Sequence, residues 1–312
     1  MTTLPTKCEL CPRQCGANRA AGQRGLCGAD ETLVVARAAL HAWEEPPISA
    51  GRGSGTVFFA HCPLRCCYCQ NAELAHQGQG IPISVERLGH IFLELQAEGA
   101  LNVNLVTPTH YVVQIKQAVA DARAAGLAIP VVYNTSGYER AEVIAGLAGT
   151  VDVYLTDFKY GRSGESDAAD RYSHAPDYFD YALAALDAMV ESMGPAVFED
   201  QDGWQVIKRG VIVRHMLLPG RSGESKRIVA QLWERYRTSV VYSIMSQYTP
   251  VRAVPGCPEL SEPVAHREYE EVLDFADALG MDQYYWQEGD PADASFIPAW
   301  DGAGVLPRHH SE

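Results

Sequence analysis

The sequence predicts an α/β fold, an incomplete (β/α)6 barrel of the TIM type with a small cysteine-rich segment in front of it. Three observations predict it. From residue 56 onward, six β-rich runs alternate with helical stretches, the pattern of a mainly parallel sheet covered by helices. The 312 residues suffice for one large barrel, and 47% apolar with 21% charged residues is globular rather than disordered composition. Pro46-Pro47 and Gly51-Arg52-Gly53-Ser54-Gly55 separate this pattern from a start rich in Cys, Gly, Arg and Ala that has no long periodic segment. The expected division is residues 1–50, a cysteine-rich metal-binding segment, then 51–290, the partial barrel. A tail at 291–312 carries Pro, Gly, Asp and His and is expected to be extended or frayed.

The first strand is Thr56-Val57-Phe58-Phe59-Ala60. Ser84 caps a helix reaching about residue 97, with Leu88, Ile91, Phe92 and Leu95 on one face. The second strand is 101–106, and its helix runs through Val112, Ile115, Val119 and Ala122. Strands follow at 131–133 and 151–155, then a helix near 178–193. Residues 197–206 read as a hairpin turning at Asp202-Gly203. The fifth strand is 211–217, followed by a helix at 225–236; the sixth is 240–245. An amphipathic helix at about 263–279 and a short strand at 284–286 complete the pattern. In such sheets chemistry sits at the carboxyl ends of the strands, so the residues after each strand are the candidates.

Lys and Arg total 25 against 39 Asp and Glu, a net charge of −14, which argues against nucleic-acid or anionic-membrane binding. Nothing resembles a signal peptide or a membrane-spanning run, and a cytoplasmic location is expected.

Eight of the nine cysteines fall within the first 69 residues, in two groups. Without a secretion signal, such clustering points to metal rather than disulfides. The second group, Cys62-x3-Cys66-x2-Cys69, places three thiols in one loop at the end of the first strand. Thiolates suit soft metals and iron–sulfur clusters, and three of them leave one iron open to a small molecule. The alternatives are a zinc knuckle or structural cysteines without metal. Cys67 falls outside the spacing and is read as a non-ligand.

Cys-x3-Cys-x-aromatic-Cys after a first barrel strand, with Tyr68 at the aromatic position, resembles the signature of radical S-adenosylmethionine enzymes. The resemblance implies that Cys62, Cys66 and Cys69 hold a [4Fe-4S] cluster whose open iron chelates the methionine part of S-adenosylmethionine. It also implies an adenosyl radical that abstracts hydrogen from substrate, with Tyr68 at the cofactor and a flavodoxin or ferredoxin as reductant.

The other strand ends carry Thr107-Pro108-Thr109-His110, Asn134-Thr135-Ser136-Gly137, Asp157-Phe158-Lys159 and Arg214-His215. From about residue 55 to 250 the chain is similar to the activating enzymes of pyruvate formate-lyase and their uncharacterised relatives. That similarity implies that Asp157 and Lys159 position the methionine part, that Asn134 and Thr135 line its site, and that His215 contacts ribose or adenine. The family's Gly-Gly-Glu after the second strand is absent; Thr107 and Thr109 stand there and offer oxygen acceptors without a carboxylate's charge. Taken singly, Asn134-Thr135 also fits a helix cap, Asp157 with Lys159 an ion pair, and His215 a satisfied core histidine.

Cys8-x2-Cys11-x3-Cys15-x11-Cys27 supplies four thiols among closely spaced glycines, which fits a structural zinc or a second iron–sulfur cluster. Cys257 stands alone after the sixth strand and reads as an ordinary loop cysteine. The expected function is hydrogen abstraction from a protein or peptide, in the form of glycyl-radical activation. A small-molecule substrate or another peptide modification is the alternative within radical chemistry. A non-catalytic iron–sulfur electron carrier is the alternative outside it.

Overall fold

The computed structural model describes residues 3–289 and 297–307; positions 291–296 and 308–312 of the expected tail lie outside the described residues. The first strand is one that the hydrophobic pattern does not announce. β1 (Leu33–His41) lies where no periodic element was expected. It pairs antiparallel with the next strand, and its register shifts between Val35 and Arg37. That irregularity, together with the three weakly contrasting alanines Ala36, Ala38 and Ala39 around Arg37, blurs the period-two signal.

α1 (Pro46–Ser49) follows with Glu45 at its N-cap. β2 (Ser54–Phe59) is buried throughout, as the central position of its apolar run requires. α2 (Ala72–Gln77) and β3 (Ile81–Ile83) then lead to α3 (Val85–Ala97). Ser84 starts α3 by accepting from the Arg87 amide at 3.0 Å, and the four apolar residues of its expected face are buried. β4 (Val103–Val106), α4 (Val112–Ala124), β5 (Val131–Thr135), α5 (Ala141–Ala145) and β6 (Val153–Asp157) continue the alternation. α6 (Ala168–Ser173) and α7 (Tyr178–Met193) precede the hairpin of β7 (Val197–Gln201) and β8 (Trp204–Met216). Asp202 and Gly203 turn it with φ of 55° and 86°, the left-handed pair of a type I′ turn. The hairpin arm and the fifth parallel strand, expected as separate runs, are one continuous β8. α8 (Ser222–Tyr236), β9 (Val241–Met245) and α9 (His266–Ala278) complete the order. The expected strand at 284–286 is reduced to a bridge between Tyr285 and Ser243.

Among the described residues β2, β4, β5, β6, β8 and β9 lie side by side and parallel, in sequence order, so the mixed α/β sheet is observed. β1 and β3 extend it antiparallel beyond β2. One apolar layer packs α3 and α4 on β1, β2 and β4, and a second gathers the helices from α5 to α9. On the sheet's other face Ile48 of α1 packs with Val132, Val153, Leu155, Ile207 and Ile212. Residues 297–307 form bends and a turn packed on β1 rather than a frayed end: the Ala38 amide donates to Ala303 at 2.8 Å, and Val305 is fully buried. No helix among the described residues is long and apolar enough to cross a membrane.

Candidate active site

The loop after β2 is fixed before any ligand is considered. His61 and Arg65 take positive φ (72° and 58°), which folds the backbone back toward the strand ends. The His61 amide donates to Leu74 at 2.8 Å and that of Cys67 to Tyr172 at 2.8 Å, while Leu64 is fully buried as an anchor. Cys62, Cys66 and Cys69 all line one cavity of 520 Å³, a volume typical of small-molecule and cofactor sites. No other cysteine lines it among the described residues. Burial first, and the neighbouring thiols second, push Cys62 up to about 11 and Cys69 up to about 12. Tyr68 also lines the cavity; its hydroxyl meets that of Tyr160 at 2.9 Å and its ring stands edge-on to Tyr172 and Tyr248.

The opposite wall is charged. Lys159 Nζ lies 2.6 Å from Asp157 Oδ2, and Arg214 Nε donates to Asp157 Oδ1 at 2.8 Å. Arg214 Nη2 donates to Asn134 Oδ1 at 2.6 Å, and its Nη1 lies 3.5 Å from Glu44 and 3.6 Å from Glu45. Burial opposes ionisation of Asp157, but the Arg214 and Lys159 cations overcome it and hold the carboxyl below its usual range. Burial likewise works against the Lys159 charge; Asp157 outweighs it and raises the ammonium. Asp157 and Lys159 form the expected ion pair, and both line the cavity.

Of the other expected residues, Thr107, Asn134 and Thr135 reach the cavity. Thr109 does not: it is 1% exposed and donates to Glu139 Oε1 at 2.5 Å, as Thr135 does. His215 does not either. Alternation along β8 sends Arg214 and Met216 into the cavity and His215 to the helix side, where Nδ1 lies 2.7 Å from the Phe158 carbonyl. His215 is buried as a core histidine would be, with Nδ1 on the Phe158 carbonyl and Nε2 without a hydrogen-bond partner among the described residues. Gly137 is required at its place: φ is 79°, and a Cβ there would lie 2.2 Å from the Asp157 carbonyl. Sequence reasoning missed Arg214 as a cavity residue, and also Glu44, Glu45 and the fully buried Glu139. The adjacent Glu44-Glu45 before Pro46-Pro47 was the available signal.

The first cysteine group is built differently. Cys8, Cys11 and Cys27 are buried and Cys15 is exposed, away from the cavity. The Cys8 amide donates to Ala17 and the Gly16 amide to Cys8, folding the segment on itself. A Cβ on Gly25 would sit 3.3 Å from the Cys15 sulfur and 3.5 Å from that of Cys27, so the thiols close over a bare backbone. Arg13, between Cys11 and Cys15, fastens this knot to the second loop. It donates to the carbonyls of Pro63 (3.1 Å), Leu64 (3.2 Å), Ser173 (2.7 Å) and His174. His61 rests on Gly28, where a Cβ would come within 2.8 Å of its Nδ1.

Among the described residues no three His, Cys, Asp or Glu side chains surround a point closely enough to hold a single metal ion. A cubane cluster makes a different demand from a single ion, because each thiolate would bind a different iron and three thiolates would leave a fourth iron open. Cys67 and Cys257 neighbour each other outside the cavity lining.

No family model matches the chain. An uncharacterised protein of Methanocaldococcus jannaschii is 26% identical over 287 residues, covering 89% of this chain and 76% of its own length. Among solved structures, SuiB of Streptococcus suis bound to precursor peptide SuiA superposes with a TM-score of 0.45 at 11% identity, covering 73% of this chain. SuiB bound to S-adenosylmethionine gives 0.44 at 13% identity. The chain spans somewhat less than half of SuiB, 46% and 48% in the two structures.

Proposed function

We propose that this chain is a radical S-adenosylmethionine enzyme whose sheet forms a partial barrel. The observation that carries the reading is that Cys62, Cys66 and Cys69 share one strand-end cavity with the Asp157–Lys159 pair. In this reading the three cysteines hold a [4Fe-4S] cluster. When bound, that cluster supplies the electron that breaks the sulfonium bond of S-adenosylmethionine and so generates a radical able to take hydrogen from a substrate.

The chain's own residues bind and shield. Lys159 and Arg214 offer cations to a carboxylate, and Asp157 an anion to an ammonium. Thr107, Asn134 and Thr135 offer hydroxyl and amide groups from the neighbouring strand ends. Tyr68, wedged between Tyr172 and Tyr248, closes the thiol end against water. Lys159 also feels Cys66, so it offsets thiolate charge on that side. In the same reading Cys8, Cys11, Cys15 and Cys27 are the candidate ligands of a second iron–sulfur cluster. A flavodoxin or ferredoxin is the reductant, the substrate is a protein or peptide segment, and glycyl-radical activation is the form that the motif resemblance favours.

Anaerobic titration of the reconstituted, reduced protein with S-adenosylmethionine tests this. The electron resonance spectrum of the cluster is expected to change on binding, and Lys159→Ala to weaken the response about tenfold or more by removing a cation offered to the carboxylate, with Asp157 still held by Arg214. A spectrum indifferent to S-adenosylmethionine would leave the non-catalytic electron carrier as the reading.

A further inference from the structure

The far wall of the cavity holds more negative than positive charge. In order of contact, Lys159 touches Asp157, Asp157 touches Arg214, and Arg214 faces Glu44 and Glu45. These five side chains are between 5% and 16% exposed, and three are carboxylates against two cations. An uncompensated charge at such burial is costly, so the wall is completed either by a proton or by a third cation. Burial, with Glu44 beside it, pushes Glu45 up to about 7 although Arg214 pulls the other way. Glu45 lines the cavity, and its Oε2, itself closed off from solvent, has no hydrogen-bond partner among the described residues, with Arg214 near it at 3.6 Å. Beside the two carboxylates the same cavity is walled by His41, Phe58 and Trp43, and Trp43 is 67% exposed. Carboxylate and aromatic surfaces together are the chemistry that recognises ammonium and guanidinium groups.

We propose that the Glu44–Glu45 end of the cavity is a subsite for a cationic group of the substrate, an alkyl ammonium or guanidinium whose stem packs on Trp43. The proposal rests on the reading above only in assigning the thiol and Asp157–Lys159 end to the cofactor, which leaves this end to the substrate. The incoming cation balances the third carboxylate and takes the place of the proton at Glu45.

The test uses the full chain with its cluster reconstituted, held with saturating S-adenosylmethionine at fixed ionic strength. Binding of pentylamine is compared with that of 1-pentanol, its neutral counterpart, by calorimetry. The amine is expected to bind about tenfold or more tightly than the alcohol, and Glu45→Gln to bring the two within about twofold. Glu44→Gln is expected to reduce the preference, and Trp43→Leu to weaken both probes; these variants carry the test if Glu45→Gln does not fold. Equal affinity of amine and alcohol for the unaltered chain overturns the proposal. So does a preference that survives in every folded variant, and so does displacement of the amine by S-adenosylmethionine. Cofactor cleavage is assayed separately without probes. Cleavage without amine preference defeats only this subsite, and preference without cleavage defeats only the radical reading.

Discussion

The two cysteine groups use the same side chain for opposite architectures. The strand-end loop spreads Cys62, Cys66 and Cys69 along the wall of a cavity and leaves space in front of them. The N-terminal knot buries Cys8, Cys11 and Cys27, closes Cys15 and Cys27 over the backbone of Gly25, and contributes no residue to the lining of that cavity. Under the proposed function the difference would be one of coordination: a site with an unfilled position performs chemistry, and a site with four ligands folds the chain. Arg13 joins them, because its guanidinium donates from the knot to carbonyls of the loop.

The sharpest way to break this contrast is to delete one thiol from each group. Cys69→Ala should leave the fold intact and lower formation of 5′-deoxyadenosine by at least about a thousandfold, since the cofactor carries the difficult step. Cys11→Ser should act the other way round, costing several kcal/mol of stability while cleavage per folded, cluster-loaded molecule falls far less. Denaturant midpoints beside product assays decide it, and equal loss of both properties in both variants would erase the distinction.

Arg13→Ala probes the join. Removing a charged donor from four carbonyls should cost about 2–3 kcal/mol and speed iron loss to a chelator from the loop cluster. Chelation kinetics unchanged from the parent would show that the knot does not brace the loop. Arg13→Lys should recover part of the effect, because an ammonium reaches fewer of the four acceptors.

A smaller effect separates Glu139 from both groups. This carboxyl is fully buried, accepts from Thr109, Thr135 and Tyr133, and is pushed up to about 7 by burial although those donors pull it down. Because the folded carboxyl holds its proton longer than the unfolded one, its contribution to stability is complete below about pH 4.5 and declines as pH rises to about 7. Glu45 adds a slope of the same sign. Glu139→Gln should therefore flatten the fall of Tm across that window in part, and an unaltered slope would remove Glu139 as a source.

How much of this was legible in the sequence follows from distance along the chain. The six parallel strands show as apolar runs because each is buried on both faces, and the thiol loop shows because its three cysteines lie within eight residues. β1 does not show, since its bulge and its alanines disturb the alternation. Glu44, Glu45 and Arg13 act through partners 50 or more residues away, and no local pattern marks such a contact. Arg214 and Met216 line the cavity and His215 between them does not, a difference of one residue of alternation along β8.

The central claim is that the strand-end loop makes this chain a radical enzyme. Its most direct test is anaerobic incubation of the cluster-reconstituted protein with dithionite and S-adenosylmethionine, followed by quantification of 5′-deoxyadenosine and methionine. Equimolar formation of the two, absent from Cys62→Ala, Cys66→Ala and Cys69→Ala, is the predicted result. A fully loaded, reducible cluster that leaves S-adenosylmethionine intact would contradict it.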